Sequence, residues 1–481
     1  MMLEIELMEL VKKITEQKCE SNYLEIKSAE KGCPKIIDTL SAFSNQSGGG
    51  KIVFGIDESQ GYQICGVYDA SDLQKKIMEQ CKQMQPPVRP LCTVATIEGC
   101  TVVCAEIQEI DNADKPCYYQ GAGRLKGSYV RTADGDVHMT EYEVYSYEAF
   151  RKRIHDELRI AERANLNDLY TDDFEQYVLT LKKKKPNFKA LSKEEICRLQ
   201  GFTNENEPTL TGILLFGLFP QAFFPQLRIT AVSVAGTEIG MTGNVGERFI
   251  DNCSIEGTIV QMLENALQFV RKNMKIKTII DEQTGKRKDL TEYPIVAVRE
   301  IILNALIHRD YSVHTESAPI TIRMFSNRME VENAGGLYGR MTLDQLGKIS
   351  ADTRNPFLAG AMEVMGQTEN RYSGIPTIIS AMKEYGLPAP EFVNERGVFK
   401  VILHNQQETL QQIPLSDVMQ EILVFCKQPR TRSELENLFK ERLTVTYLMK
   451  QYVHPLVENG LLGLTIPEKP KSKRQQYFTV K

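Results

Sequence analysis

The stretch REIILNALIHRDYS, residues 299–312, decides how the centre of this chain folds. Its apolar residues recur at helical spacing and predict a helix over residues 294–308, with Glu300 and Asn304 one turn apart on the same face. Two β-rich runs, TIRMFS and RMEVEN, follow this helix and predict adjacent strands. Because helices and strands alternate around this stretch, we expect an α/β unit here.

The same alternation extends upstream of this helix. After Thr209, the apolar runs LTGILLFG and LRITAVSVAG predict two strands on either side of the loop FPQAFFPQ. An amphipathic helix is expected from about Ile255 to Asn273, and the unit is expected to end near His404. The central unit is therefore predicted to span residues 191–405.

Length and composition indicate several domains. At roughly 100 to 200 residues per domain, 481 residues make three or four domains. Besides the central unit, we expect an N-terminal α+β domain over residues 1–150, a helical connector over 151–190 and a further domain over 414–481. No apolar run approaches the roughly 20 residues that span a bilayer, and the N-terminus lacks the pattern of a secretion signal.

Cysteines and charge narrow the class further. Eleven cysteines without a CxxC pair or a Cys/His cluster predict reduced thiols in the cytoplasm and no zinc site. The net charge of -5 argues against a chain that coats nucleic acid through bulk attraction. Pro414–Lys481, however, carries eleven Lys and Arg against seven Asp and Glu, so the C-terminus is the basic end.

The basic end has the pattern of a winged helix-turn-helix domain. Helical patterns cover residues 416–426, the segment around Leu435, and a third segment from Thr444 to the stop at Asn459-Gly460. The strand-like runs LLGLTIP and QQYFTVK come next and predict a hairpin. In a winged helix the third helix enters the major groove of DNA and the hairpin contacts phosphate.

The predicted DNA contacts come from the third helix and from the tip of the hairpin. Tyr447, Lys450, Gln451 and His454 are expected on the polar side of the third helix. The loop EKPKSKR would carry basic residues at its tip, namely Lys469, Lys471, Lys473 and Arg474. A protein-binding or dimerising winged helix with a merely solvated loop is the alternative interpretation.

The N-terminal region carries a series of motifs in order. ESNYLEIK, residues 20–27, alternates as a strand that projects Glu25 and Lys27 to one face. The segments DTLSAFSNQSGGGKIVFGIDESQGYQICGV and GRLKGSYVRTADGDVHMT follow. Over Glu20–Thr140 these motifs resemble the Schlafen-type AlbA-like domain, and the resemblance implies a compact α/β domain that binds nucleic acid.

Two chemistries are open for this region. Gly48–Gly50 permit close backbone approach, and the exposed cations expected to contact phosphate are Lys27, Arg124, Lys126 and Arg131. Some Schlafen-type domains are metal-dependent ribonucleases that use two glutamates and a later aspartate, and Glu20, Glu25 and Asp57 match those places. Such carboxylates can hold Mg²⁺. Alternatively, Glu25 pairs with Lys27, and Asp57 bonds to the backbone of the turn DESQG.

The central unit resembles the GHKL ATPase fold, an α/β sandwich. Glu300 and Asn304 have the spacing of its Glu-x-x-x-Asn box, VENAGGLYG resembles its first glycine box, and RNPFLAGAMEVMGQTENRYSGIPTI resembles the later helix and second glycine box. The resemblance implies ATP and Mg²⁺ as cofactors, with Glu300 activating water and Asn304 binding Mg²⁺. The further cofactor contacts that it implies come from Asn333, Gly335, Gly336 and Gly374.

The sequence departs from the GHKL pattern at two positions. Asn333 replaces the usual aspartate that reads the adenine amino group, and Tyr372 stands where a glycine is expected. The whole stretch resembles transcriptional regulators that are related by name to the RecG helicases, although the chain has no Walker lysine motif.

Together these patterns predict an α+β multidomain, DNA-binding transcriptional regulator that forms a homodimer or a higher homo-oligomer. Its central module would sense a nucleotide or mediate assembly. A metal-dependent ribonuclease and a purely structural role for the ATPase-like unit are the alternatives, and RNA remains a second candidate partner.

Overall fold

The computed structural model describes residues 2–132, 135–241, 246–280, 287–349, 352–368, 373–395, 397–405, 417–440, 442–458, 461–465 and 475–479. The chain divides into two compact units, the larger made of Met1–Tyr385 and Ala389–Asn405 and the smaller of Gly386–Pro388 and Gln406–Lys481. Among the described residues, no helix is both long and apolar enough to cross a membrane.

The larger unit begins with a four-stranded sheet. Its strand order is Leu24–Lys27, Gly50–Phe54, Cys100–Ile107 and Leu91–Ile97, with the first pair parallel and the others antiparallel. The helices of this region are Glu4–Gln17, Ile37–Asn45, Ala70–Lys82, Gly123–Gly127 and Glu141–Lys152. Shorter strands pair as Ile56–Asp57 with Gln63–Ile64, Met84–Gln85 with Tyr118–Tyr119, and Tyr129–Thr132 with Gly135–His138.

Apolar clusters cover both faces of this sheet, and successive strand residues point to opposite faces. Phe54 packs in a core with Leu40 and Phe43 on one face, whereas Val53 packs with Leu7 and other residues of the first helix on the opposite face. The Gly50–Phe54 strand therefore contributes side chains to two separate apolar clusters.

A helical segment connects the two sheets of the larger unit. Its helices are Asp172–Lys184, Lys193–Leu199, Leu210–Phe216 and Pro220–Phe223, and a short pair Thr203–Asn204 with Glu207–Pro208 lies between them.

The prediction of a strand in LTGILLFG is wrong, because Leu210–Phe216 is a helix. The Thr209 side chain caps it by accepting a hydrogen bond from the Gly212 N–H, and the whole helix is buried. A helix that is apolar on every side cannot be told from a buried strand by periodicity alone.

A six-stranded sheet forms the centre of the larger unit. Its order is Phe249–Ile255, Ile229–Val234, Ile320–Met324, Arg328–Ala334, Val398–His404 and Glu391–Glu395. Ile229–Val234 and Ile320–Met324 are parallel, and the other neighbours are antiparallel. The helices of this layer are Ile259–Asn273, Ile295–His308, Pro356–Val364 and Gly374–Glu384, and Ile276–Ile280 pairs with Arg287–Thr291.

The smaller unit contains helices and a three-stranded antiparallel sheet. The helices are Asp417–Phe425 and Arg432–Phe439, and then a helical run made of Val445–Leu448, a π turn at Met449–Val453, and His454–Glu458. The sheet order is Arg430–Thr431, Gln476–Thr479 and Leu462–Leu464. The predicted basic tip, Lys469, Lys471, Lys473 and Arg474, lies outside the described residues.

Candidate nucleotide site

A cavity of about 780 Å³ lies between the helical layer and the six-stranded sheet. We call it the central cavity. The residues that the sequence predicted as cofactor contacts all line it: Glu300, Asn304, Asn333, Gly335, Gly336 and Gly374. Segments that lie far apart in the chain therefore meet at one site.

The Ile295–His308 helix supplies the polar pair of this site. Glu300 and Asn304 face the start of the Gly374–Glu384 helix, where a Cβ atom on Gly374 would lie 3.0 Å from Glu300 Oε2 and 3.2 Å from Asn304 Nδ2. A side chain at position 374 would crowd both groups. Tyr372, the second departure from the glycine box, lies outside the described residues.

One amide is buried in the sheet side of the central cavity. Asn333 is 5% exposed, and its Oδ1 has no hydrogen-bond partner among the residues that the structure describes. Apolar side chains from the same strand, the neighbouring strand and the helices line the cavity with it, including Val331, Phe399, Val401 and Ile378. A flat apolar group carrying one polar edge fits these surroundings.

The first glycine box forms a tight turn held by a buried ion pair. Gly335 has φ of +97°, and a Cβ atom there would lie 2.6 Å from the Asp310 Cβ. Arg354 pairs with Asp310, and Arg354 Nη2 donates a hydrogen bond to the Gly336 carbonyl oxygen at 3.2 Å. Burial raises the pKa of Asp310, but the Arg354 charge and hydrogen bonds outweigh burial and hold it below its usual value.

Two neighbouring residues, His308 at the end of the Ile295–His308 helix and Arg309 after it, differ in their surroundings. Arg309 is buried and donates hydrogen bonds to the carbonyl oxygens of Ala318 and Thr315, so it holds the loop. His308 is exposed to the central cavity, yet the atoms packed around it and the Arg354 charge lower its pKa to about 4. The imidazole is therefore neutral near pH 7.

The turn also contacts the N-terminal region of the same unit. The Tyr142 hydroxyl donates a hydrogen bond to Asp310 Oδ2 at 2.8 Å, and Asn112 Nδ2 donates one to the Gly339 carbonyl oxygen at 3.0 Å. The sequence alone did not single out Tyr142 or Arg354, because no local spacing connects either of them to Asp310.

The described residues of the central cavity offer few side chains that could bind a metal ion. Among the described residues, no group of three or more His, Cys, Asp and Glu side chains is placed to hold a metal ion. Mg²⁺ bound with a nucleotide takes most of its ligands from phosphates and water, so a single protein oxygen such as that of Asn304 is compatible with it.

The predicted carboxylates of the N-terminal region are bound by protein groups instead. Arg131 Nη1 lies 2.7 Å from Glu25 Oε2, and Arg131 Nη2 lies 3.4 Å from Glu20 Oε2. Glu25 also pairs with Lys27. Asp57 accepts hydrogen bonds from the Ser59 N–H and hydroxyl, and these lower its pKa. The described residues thus do not assemble these three carboxylates into a metal centre.

The prediction that Arg131 is an exposed phosphate contact is wrong. Its side chain is 5% exposed and also pairs with Asp136, so its positive charge is neutralised by acidic side chains of the protein. Arg124 pairs with Glu148 and lies over the Tyr118 ring. Lys126 is exposed.

The smaller unit presents part of the predicted helical surface. Tyr447, Lys450, Gln451 and His454 are all exposed, while Leu448, Val453 and Leu456 are buried in the core of the unit.

The fold and the central cavity define a multidomain α+β protein with an ATPase-like central domain. Residues 20–140 match the family model "Schlafen, AlbA_2", and residues 317–403 match "Putative ATP-dependent DNA helicase recG C-terminal". The chain therefore carries domains of these two families, and both resemblances predicted from the sequence are confirmed. The second match begins after Glu300 and Asn304.

One further family model and two solved structures also match this chain. Residues 419–478 match the model "Filamentation induced by cAMP protein Fic-like, C-terminal domain". The DIP2311 protein from Corynebacterium diphtheriae is 18% identical over 90% of each chain, with a TM-score of 0.40. The N-terminal domain of a RecG-related protein from Nitrosomonas europaea is 23% identical over 29% of this chain and 95% of that chain, with a TM-score of 0.24. No curated protein matches the chain.

Proposed function

We propose that this chain is a DNA-binding transcriptional regulator whose central domain binds an adenine nucleotide with Mg²⁺. The observation that carries the proposal is the convergence of the Glu-x-x-x-Asn pair, Asn333 and both glycine segments on the central cavity.

Each part of the central cavity has a role in this proposal. Asn304 would hold Mg²⁺ together with the phosphates, and Glu300 would orient or deprotonate a water molecule. Bound Mg²⁺ supplies charge neutralisation at the phosphates. Gly336 lines the cavity without a side chain, which leaves its backbone open to a phosphate chain, and an added Cβ would lie 2.7 Å from Asn394 Oδ1.

The DNA-binding part rests on the smaller unit and on the family names. We propose that the smaller unit is a winged helix. Its helices, the strand pair after them and the short strand Arg430–Thr431 between the first two helices support this proposal, and the exposed Lys450 and Gln451 suit a recognition helix. The matched families are named after Schlafen and a DNA helicase, which favours a nucleic-acid partner for the N-terminal region as well. We further propose that two copies pair, because dimers read paired half-sites.

Nucleotide binding is tested by calorimetric titration of the full chain with Mg²⁺-ATP. Asn304→Ala is expected to weaken binding at least roughly tenfold, which is about 1.4 kcal/mol. Asn167→Ala, at an exposed position of the connecting segment, is the matched control and should bind as the wild type does. No heat of binding and no rise in melting temperature with the unchanged protein would contradict the proposal.

DNA binding is tested separately with random duplex and RNA pools at two salt concentrations, with and without Mg²⁺-ATP. Lys450→Ala should weaken duplex binding and reduce the slope of log affinity against log salt by about one if the lysine contacts phosphate. Lys189→Ala, an exposed lysine in the connecting segment, is the control. Equal affinity and slope for the two variants would contradict the role of this helix.

A further inference from the structure

The amide of Asn333 lies where the central cavity meets the sheet. The residue lies on the Arg328–Ala334 strand, where it pairs with Phe399 of the neighbouring strand, and it is 5% exposed. Its Oδ1 is buried and, within the described part of the chain, accepts no hydrogen bond. A buried acceptor left unpaired costs about 1 to 3 kcal/mol, so a ligand that hydrogen-bonds there gains affinity.

Thr353 adds a second group of the same kind. It lines the central cavity, and its buried Oγ1 has no hydrogen-bond partner among the described ranges. Both groups are neutral, and both can donate as well as accept a hydrogen bond. These two groups therefore do not impose one direction of hydrogen bonding on a ligand.

An amide and a carboxylate read a purine differently. An ionised carboxylate only accepts hydrogen bonds, so it selects the 6-amino group of adenine and repels the lone pairs of a 6-oxo group. An amide presents an NH₂ donor or a carbonyl acceptor, depending on which way it is turned. Asn333 can thus hydrogen-bond to the 6-amino or to the 6-oxo edge of a purine with similar free energy.

The remaining surroundings do not restore the distinction. Val331, Phe399 and Val401 are apolar and line the cavity, so they would contact a bound ring through apolar surface alone. An apolar pocket discriminates poorly between isosteric ligands that differ in one polar group. Beside these apolar side chains, the amide of Asn333 is the group that can distinguish one purine edge from another.

We infer that the central cavity binds 6-oxopurine nucleotides as well as 6-aminopurine nucleotides, and that Asn333 is the residue responsible. The inference rests on the proposed nucleotide site and extends its ligand class from ATP to inosine and guanosine triphosphates. Inosine triphosphate is the most informative ligand because it differs from ATP only along the edge that carries position 6 of the ring.

The test is calorimetric titration of the full chain with the Mg²⁺ complexes of ATP, inosine triphosphate and cytidine triphosphate. Wild-type dissociation constants for the two purines are expected within roughly tenfold of each other, a difference of about 1.4 kcal/mol or less. Asn333→Asp, measured at about pH 8 where an ordinary carboxyl is ionised, should weaken inosine triphosphate relative to ATP at least roughly tenfold.

Asn333→Ala guards against misfolding of the Asp variant. It removes donor and acceptor together, so it should weaken both purine nucleotides by the same factor, with an unchanged circular dichroism spectrum. Wild-type binding of ATP with inosine triphosphate more than a hundredfold weaker would overturn the inference and leave the proposed function standing. An unchanged purine ratio in folded Asn333→Asp would also overturn it. Absence of binding by every nucleotide would instead remove the proposed function itself.

Discussion

Arg131 illustrates how the role of a single residue depends on partners that are distant in the chain. Its sequence context, a Tyr-x-Arg near glycines, is compatible with phosphate contact. In the fold its guanidinium reaches Glu20 and Glu25, more than a hundred positions earlier. No local pattern carries that information, and the residue could not be assigned correctly from the sequence.

Removing this cation should destabilise the fold. Arg131→Ala leaves Glu25 and Asp136, with side chains 8% and 10% exposed, without their main counter-charge. Breaking a buried pair from one side typically costs about 3 to 5 kcal/mol, and urea unfolding measures it. Lys27→Ala removes the other cation beside Glu25 from a 33% exposed position and should cost about 1 kcal/mol or less. Equal losses for the two variants would be evidence against the buried role of Arg131.

Glu157 should make stability depend on pH. It is fully buried, its oxygens accept hydrogen bonds from the backbone N–H groups of Phe357 and Leu358, and burial raises its pKa from 4.5 to about 7. An acid whose pKa is higher in the folded state binds more protons there, so its contribution falls as pH rises from about 4.5 to 7. The loss over that window is roughly 3 kcal/mol.

Urea unfolding at several pH values checks this dependence. Glu157→Gln should flatten the decline between about pH 4.5 and 7, because the amide does not titrate, whereas the exposed control Glu162→Gln should retain it. A decline of the same steepness in the Glu157→Gln protein would assign the pH dependence to other groups.

At the scale of elements, the sequence predicted a helix correctly where its apolar and polar residues follow helical spacing. The i to i+4 spacing of Glu300 and Asn304 correctly located both residues on one helix. LTGILLFG failed because burial on all sides erases the period that separates helix from strand. The π turn at Met449–Val453 has no sequence signal that we recognise.

Two adjacent glycines before the Gly50–Phe54 strand should differ sharply in tolerance. Both have positive φ, +80° for Gly48 and +69° for Gly49. A Cβ atom on Gly49 would overlap the Ile107 carbonyl oxygen of the neighbouring strand, whereas one on Gly48 would meet only the Tyr23 ring at 3.8 Å. Gly48→Ala should cost about 1 kcal/mol from backbone strain, and Gly49→Ala about 3 kcal/mol or more.

Thermal and urea unfolding of the two variants measure this difference. Each protein serves as the other's control, because the substitution and the strand are the same. If Gly49→Ala were no less stable than Gly48→Ala, the close approach of the two strands at Ile107 would be wrong.

At the scale of the larger unit, the glycine turn of the central cavity is held from outside the cavity. Tyr142 is absent from the cavity lining but donates to Asp310, which pairs with Arg354, which in turn donates to Gly336. Because Arg340 also lies 3.1 Å from Asp111, several contacts join the N-terminal region to this turn. Residues so far apart in the chain could not be connected from the sequence.

Tyr142→Phe should therefore change nucleotide affinity without touching the nucleotide. Loss of its hydroxyl removes one restraint on Asp310, and coupling through such a network is typically about 0.5 to 2 kcal/mol, or roughly two- to thirtyfold in affinity. Calorimetric titration with Mg²⁺-ATP measures it. Tyr145→Phe, on the same helix but bonded to Asp156, is the control. Identical affinities in the two variants would separate the N-terminal region energetically from the central cavity.

The Tyr142 contact also limits how freely this chain can be recombined. A chimera that replaced residues 1–150 by the equivalent part of another AlbA_2 protein would have to supply a phenol at the same point, or Asp310 would lose a donor inside the protein. The two regions are thus expected to be inherited together, and transplanted halves should fold less well than their parents.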